Sequence, residues 1–365
     1  MPDTQYLLKL LLALVAAVVI SFLATPLVKN LAFKVGAIDV PKDERRMHKV
    51  PIPRLGGLAI FISFLFTALI FGEINQQMQG ILLGAVMIEV VGVLDDCLTL
   101  KALPKFLVQI AAAGVAVYHG CEIEFLSNPN VFSDNAYLNL GWLSVPITIL
   151  WIVAITNAVN FIDGLDGLAV GVSAISTASL LVIAFLVQEL SICIILVALL
   201  GACLGFIPYN KNPAKIFMGD SGSTFLGYIL ACLSVTGLFK MYAIISFAVP
   251  FLILGIPIFD ICFAFLRRIA KGQNPMVADR GHVHHRLIDM GFSQKQAVAI
   301  CYMLTALLGL AAVLLTSSGE LRALILIGAI IVVASIGFHL IFKRPHHDHS
   351  SKTEHPAEEK PHEEN

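Results

Sequence analysis

Residues 6–28, "YLLKLLLALVAAVVISFLATPLV", hold a single charged side chain in 23 positions. About 20 apolar residues are what a helix needs to cross the hydrocarbon of a bilayer. Ten more runs of this kind follow, near 55–71, 78–94, 103–119, 143–160, 168–187, 190–207, 224–239, 242–266, 297–316 and 321–342. Backbone polar groups in lipid must pair internally, which leaves helices or closed barrels, and runs of this length select helices. Soluble domains are about 45–50% apolar and about 25% charged, whereas this chain is 58% hydrophobic and 13% charged. The expected fold is therefore all-α: a polytopic integral membrane protein with about 11 transmembrane helices. The first run is too long for a signal-peptide core and reads as a retained span.

Eleven spans put the termini on opposite sides. Of the 24 Lys and Arg residues, 21 fall in the first inner loop, the loops after the third, seventh and ninth spans, and the C-terminal tail. Only Lys9, Lys240 and Arg322 fall on the other side. The positive-inside rule places the N-terminus outside, the C-terminus in the cytoplasm, and the protein in the cell membrane. Residues 1–342 read as one transmembrane domain. The tail 343–365, "KRPHHDHSSKTEHPAEEKPHEEN", is too polar to bury a core and reads as disordered. Pro250 and Pro257 are expected to bend or break the ninth run, whose inner end leaves the bundle. The outer segment 120–142 alternates weakly, as a short hairpin or a solvated loop would. Seven cysteines, mostly inside apolar runs, form neither a disulfide framework nor a zinc spacing.

An acid at a span centre costs about 2.5–3.5 kcal/mol on insertion scales, so the placement of the acids carries information. "DERRMHKVPIPRLGG" (43–57), "VVGVLDDCLTL" (90–100), "NAVNFIDGLDGLAV" (157–170), "NPAKIFMGDSGSTFLG" (212–227) and "DRGHVHHRLIDMG" (279–291) all fall at the inner face. Each alone has an ordinary reading as a helix cap, a solvated terminus or a basic loop. Five on one face, with Asn, Asp, His, Arg and Lys among glycine-rich turns, point to a cytoplasmic active site. Carboxylates and amide carbonyls are hard oxygen ligands that suit Mg²⁺ or Mn²⁺, and Mg²⁺ points to phosphate. Arg45, Arg46, Arg54, Lys105, Arg280 and Arg286 supply charge partners for phosphoryl oxygens. The spacing of His282, His284 and His285 fits metal ligands, acid/base groups or phosphate donors, and the adjacent arginines favour the last.

The succession "VLDD", "NAVNFIDGLDGLA", "PAKIFMGDSGSTFLG" and "HVHHRL" resembles the polyprenyl-phosphate N-acetylhexosamine-1-phosphate transferases, over residues 28–316. "PIPRLGG" and "HVHHR" are similar to the branch that uses UDP-GlcNAc; the UDP-MurNAc-pentapeptide branch carries a "PTMGG" turn and consecutive histidines. The resemblance implies transfer of GlcNAc-1-phosphate from UDP-GlcNAc to undecaprenyl phosphate, with release of UMP. It implies Mg²⁺, replaceable by Mn²⁺, on Asn160 and Asp220, with Asp96 close by. Asp95, Asp96 and Asp163 would be the essential acids, with His284 and His285 also counted as catalytic. Asp166, Asn210 and Phe217 would surround the uridine, and Lys105, His282 and Arg286 would help the other two histidines hold diphosphate and sugar. A homodimer is compatible with this reading, and no nucleic-acid partner is expected. Glu89, one heptad before Asp96, has no place in the pattern.

A lipid phosphate with a second pKa near 6 is already largely dianionic at neutral pH, so direct attack without a strong general base is favoured over an aspartyl-phosphate route. The alternatives are the pentapeptide transferase and, outside enzymes, a transporter. A transporter would gather its polar groups at the bilayer midplane of an internal repeat, which this chain lacks.

Overall fold

The computed structural model describes residues 3–41, 50–127, 137–237, 248–270, 272, 282–317, 324, 327, 328 and 331. Its helices are α1 (Thr4–Val35), α2 (Gly57–Phe71), α3 (Gln76–Leu98), α4 (Ala102–Tyr118), α5 (Ser144–Phe161) and α6 (Leu168–Leu186), followed by α7 (Leu190–Asn210), α8 (Gly219–Gly237), α9 (Ala248–Ile253), α10 (Gly255–Ala270), α11 (Val283–Asp289) and α12 (Gln294–Thr316). Two small antiparallel hairpins complete the described elements: β1 (Ile38–Asp39) with β2 (Ile52–Pro53), and β3 (Phe125–Ser127) with β4 (Tyr137–Asn139). The second is the hairpin alternative for segment 120–142. Over their described residues, the first ten apolar runs coincide with helices, the ninth with two of them, α9 and α10. The eleventh, near 321–342, lies almost wholly outside the described residues, as does the tail 343–365.

Among the described residues, five helical segments are long and apolar enough to cross a membrane: Thr4–Val35, Gly141–Phe161, Leu168–Leu186, Leu190–Asn210 and Gln294–Thr316. The protein is an all-α polytopic membrane protein. Its outermost helix shows how such a bundle packs where lipid is as apolar as leucine. The buried stripe of α1 is small, with Ala13, Ala17, Ser21, Thr25, Val28 and Ala32. It lies against α7 and α2, where the Ser21 hydroxyl donates to the Ala202 carbonyl at 2.7 Å and the Ser63 hydroxyl to the Ala17 carbonyl at 2.6 Å. The opposite face of α1, including Leu8, Leu11, Leu23 and Leu27, is exposed.

At the centre stands α8, flanked by α3 and α5, with every residue from Ser221 to Gly237 buried. A helix enclosed on all sides needs no amphipathic stripe. Its Thr224 and Thr236 hydroxyls return to the carbonyls of Asp220 and Cys232 within the helix. The ninth run breaks at Leu254, between α9 and α10. Pro257 has no N–H to give the Ile253 carbonyl, and that carbonyl instead accepts from the Ser176 hydroxyl at 2.8 Å. The break thus sits where a neighbouring helix satisfies the released group.

Candidate active site

Two ends of helices meet at the centre of the site. The N-terminus of α8 presents unpaired backbone N–H groups and the positive end of the helix dipole, and Asp96 in the last turn of α3 meets them. Its Oδ1 accepts from the Asp220 amide at 2.9 Å, and its Oδ2 from the Ser221 amide at 3.1 Å and the Ser221 hydroxyl at 2.7 Å. Gly219, at φ +77°, turns the chain into α8, and a side chain there would run into the Asp96 carboxylate. The C-terminus of α3 has the reverse need, and Arg54 supplies it by donating to the Asp95 and Asp96 carbonyls at 3.3 Å each. Arg54 is itself held by backbone pairing between 53–57 and 217–218: Phe217 N–H to Pro53 O, Gly56 N–H to Phe217 O and Gly57 N–H to Met218 O. The "PIPRLGG" and "KIFMGDSG" motifs are therefore one structural unit.

Lys105 of α4 binds two carboxylates, Asp95 Oδ2 at 2.9 Å and Asp220 Oδ2 at 2.8 Å. The remaining Asp95 oxygen takes the Leu100 amide at 2.6 Å. Across from them, Asn160 at the end of α5 donates to Ser223 Oγ at 2.7 Å, which leaves its carbonyl oxygen as the part available to a cation. The turn after α5 then carries Asp163 and Asp166. Asp163 lies outside the spans, and enclosure together with the carboxylates of Asp220, Asp96 and Asp166 raises its pKa to about 8. Asp166 Oδ2 accepts from Asn212 Nδ2 at 2.9 Å and the Ala214 amide at 3.0 Å. Asn210 receives the Gly167 amide at 3.1 Å and donates to the Ile216 carbonyl at 3.0 Å. These bonds make both residues clasps between the 162–167 turn and the 210–217 loop.

Two cavities open from this centre. One, of about 610 Å³, is bordered by Asp39, Arg54, Asp96, Asp163, Asp166, Asn210, Asn212, Phe217, His285 and Gln294. The other, of about 660 Å³, is mainly apolar, with Ile88, Val91, Leu103, Phe106, Phe161, Ile261 and Phe265, and it also has Lys105, Arg268 and His282 on its wall. Asn160 and Asp220 border both.

Two of the three histidines are divided between them. His285 faces the polar cavity and His282 the apolar one. His284, 2% exposed, is pressed against Gly164, where any side chain would strike its Nε2. Burial, helped by His285 and His282, lowers the pKa of His284 to about 4, so its imidazole is neutral at physiological pH. Arg286 lies 4.9 Å over the Phe263 ring and borders neither cavity. Arg45, Arg46 and Arg280 lie outside the described residues. The sequence reading did not single out Asp39, Asn212, Arg268, Gln294 or Asp260. Asp260 had a signal: it is the only acid in run 242–266, and an ionisable residue inside a span is a functional candidate by default.

Among the described residues no three His, Cys, Asp or Glu side chains gather as a closed metal cage. Mg²⁺ does not require one, since it is commonly held by one or two carboxylates together with substrate phosphates and water. The Asp220 carboxylate and Asn160 carbonyl, at the junction of the two cavities, fit that donor set.

Residues 78–238 match glycosyl transferase family 4. A Bacillus subtilis protein named "Probable undecaprenyl-phosphate N-acetylglucosaminyl 1-phosphate transferase" is 39% identical over 333 residues, 91% of this chain and 92% of its own. The chain belongs to glycosyl transferase family 4. The decaprenyl-phosphate N-acetylglucosaminephosphotransferase of Mycobacterium tuberculosis is 33% identical over 87% of this chain and 85% of its own. A phospho-N-acetylmuramoyl-pentapeptide-transferase of Listeria monocytogenes is 37% identical over a shorter stretch, 52% of this chain and 63% of its own. Similarity over nearly full length thus lies with the N-acetylglucosamine phosphate branch.

Proposed function

We propose that this protein transfers N-acetylglucosamine 1-phosphate from UDP-GlcNAc to undecaprenyl phosphate at the cytoplasmic face of the cell membrane, releasing UMP. The observation that carries the proposal is the junction: a polar cavity suited to a nucleotide sugar and an apolar one suited to a prenyl chain share Asn160 and Asp220. Phosphoryl transfer asks a protein mainly for positioning and charge neutralisation. An oxygen of the lipid phosphate forms a bond to the sugar-bearing phosphorus, and the bridging P–O bond to UMP breaks. Phe217 offers an aromatic face to the uracil, and Arg54 and His285 stand on the diphosphate side. Lys105, between Asp95 and Asp220, keeps positive charge beside the phosphates arriving from the apolar side. Asp96 contributes by fixing the N-terminus of α8, and with it Asp220. Asn160 and Asp220 would hold Mg²⁺, which would supply neutralisation of phosphate charge.

The test is purified protein with labelled UDP-GlcNAc, UDP-GalNAc and UDP-MurNAc-pentapeptide, each with undecaprenyl phosphate. Lipid-linked GlcNAc phosphate and stoichiometric UMP are expected from the first donor, with none from the pentapeptide donor. Equal product from the GlcNAc and pentapeptide donors would overturn the donor assignment. Movement of substrate without UMP release would make the protein a transporter. Excess EDTA should abolish turnover, and full activity in its presence would remove the metal.

A further inference from the structure

His282 and Asp260 form a pair outside the motif logic. Asp260, on α10, is fully buried. Its Oδ1 accepts the Val283 amide at 2.6 Å, and its Oδ2 lies 2.8 Å from His282 Nδ1. A buried carboxylate is held in place only when its oxygens are paired, and here both partners come from the start of the "VHHR" helix. The contact makes Nδ1 the nitrogen that donates to Asp260, so Nε2 is the one left for a ligand. The ring is further fixed between Phe161, at 5.8 Å, and His284, stacked at 5.9 Å with 9° between planes. His282, Arg268 of α10 and the shared residues Asn160 and Asp220 all border the apolar cavity.

We propose that His282 binds the phosphate of the lipid acceptor in the apolar cavity, and that Asp260 is the positioning residue that orients it. The inference rests on the transferase reading for the identity of the acceptor. With Nδ1–H given to Asp260, the imidazolium form presents Nε2–H as a charge-assisted donor to a phosphomonoester oxygen. The placement divides the histidine motif by substrate, with His282 serving the lipid phosphate and His285 the nucleotide sugar.

The experiment is equilibrium binding of undecaprenyl phosphate to the purified full-length protein in detergent, with undecaprenol and UDP-GlcNAc as separate ligands. His282→Ala and Asp260→Asn should each weaken undecaprenyl phosphate binding by about tenfold or more, as loss of a hydrogen bond to a charged group does. Affinities for undecaprenol and UDP-GlcNAc should hold within about twofold of wild type. The double variant should be no weaker than the worse single one, since Asp260 acts through His282. Asp260→Asn keeps the side chain's shape, and an unchanged elution profile would establish that it folds. If Asp260→Asn does not fold, His282→Gln, which leaves the buried carboxylate in place, carries the same expectation. Unchanged acceptor affinity, or a loss that falls on UDP-GlcNAc, overturns the inference. Failure of the transferase reading would look different: undecaprenyl phosphate would bind, with the same dependence on His282, while wild-type protein released no UMP.

Discussion

Replacing Lys105 by methionine removes an ammonium that binds both Asp95 and Asp220 while keeping most of the side chain's length. The two bonds laid end to end set the carboxylate oxygens at most about 5.7 Å apart, where two unit charges repel by about 3 kcal/mol at an effective dielectric near 20. Lys105 and Asp220 are 27% and 33% exposed at the side chain, and solvent reduces the uncovered repulsion to about 1–2 kcal/mol. A divalent cation at Asp220 would relieve that repulsion, so the variant should bind Mg²⁺ about 5- to 30-fold more tightly, at 1.4 kcal/mol per tenfold. Turnover should move the other way, because the phosphates lose a positive partner where charge neutralisation matters most. UMP release measured across a Mg²⁺ titration reads both quantities. A lower kcat with a lower half-saturating Mg²⁺ concentration is expected. An unchanged or higher Mg²⁺ requirement with near-normal kcat would refute the placement of the cation at Asp220 and of Lys105 beside it.

Gly164→Ala drives a methyl group into His284 Nε2; overpacking of this kind costs about 1–3 kcal/mol, and kcat should fall at least about tenfold while the protein still inserts and elutes normally. Wild-type turnover would show that the 162–167 turn and α11 are not rigidly matched. Glu89 is 3% exposed and both of its carboxyl oxygens lack a hydrogen-bond partner, so Glu89→Leu should raise the thermal unfolding temperature in detergent; a lower temperature or lost activity would give this side chain a role. Asp163 binds its proton up to a pH of about 8 in the folded protein against about 3.9 unfolded. The native state therefore holds the extra proton between these values, stability falls as pH rises from about 4 to about 8, and the contribution is fully present only below the lower value. Asp163→Asn should flatten that part of a pH series of unfolding temperatures, and an identical slope in the variant would place the titration elsewhere.

The helices were legible because a bilayer imposes a length on them: runs such as 168–187 and 190–207 have only to be counted. The break in run 242–266 was legible in part. Pro257 announces that a carbonyl loses its donor, but Ser176, which replaces it, is 77 residues away in sequence. Ser176 looks like any other small residue of an apolar run. The polar clusters were legible for a related reason, since acids, amides and histidines at the inner ends of spans stand out against leucine and valine.

Their pairings were not legible, because pattern along the chain does not encode which helix ends face each other. Asp96 read as an acid in a catalytic cluster; in the fold all three hydrogen bonds to its carboxylate come from the start of α8, so it also braces the turn that carries Asp220. Asp166 and Asn210 read as uridine contacts, yet the hydrogen bonds they make join two loops. A nucleotide in that cavity would meet them already fixed, along with Asn212 and Gln294, which are bonded to each other at 2.7 Å. The division of the polar groups between two cavities follows from the same packing. The start of α11 reaches α10 through Asp260, His284 packs on Gly164 of the turn that ends α5, and His285, three residues after His282, borders the polar cavity. On the proposed assignment, a motif of four residues addresses two substrates of opposite polarity, because His282 and His285 border different cavities.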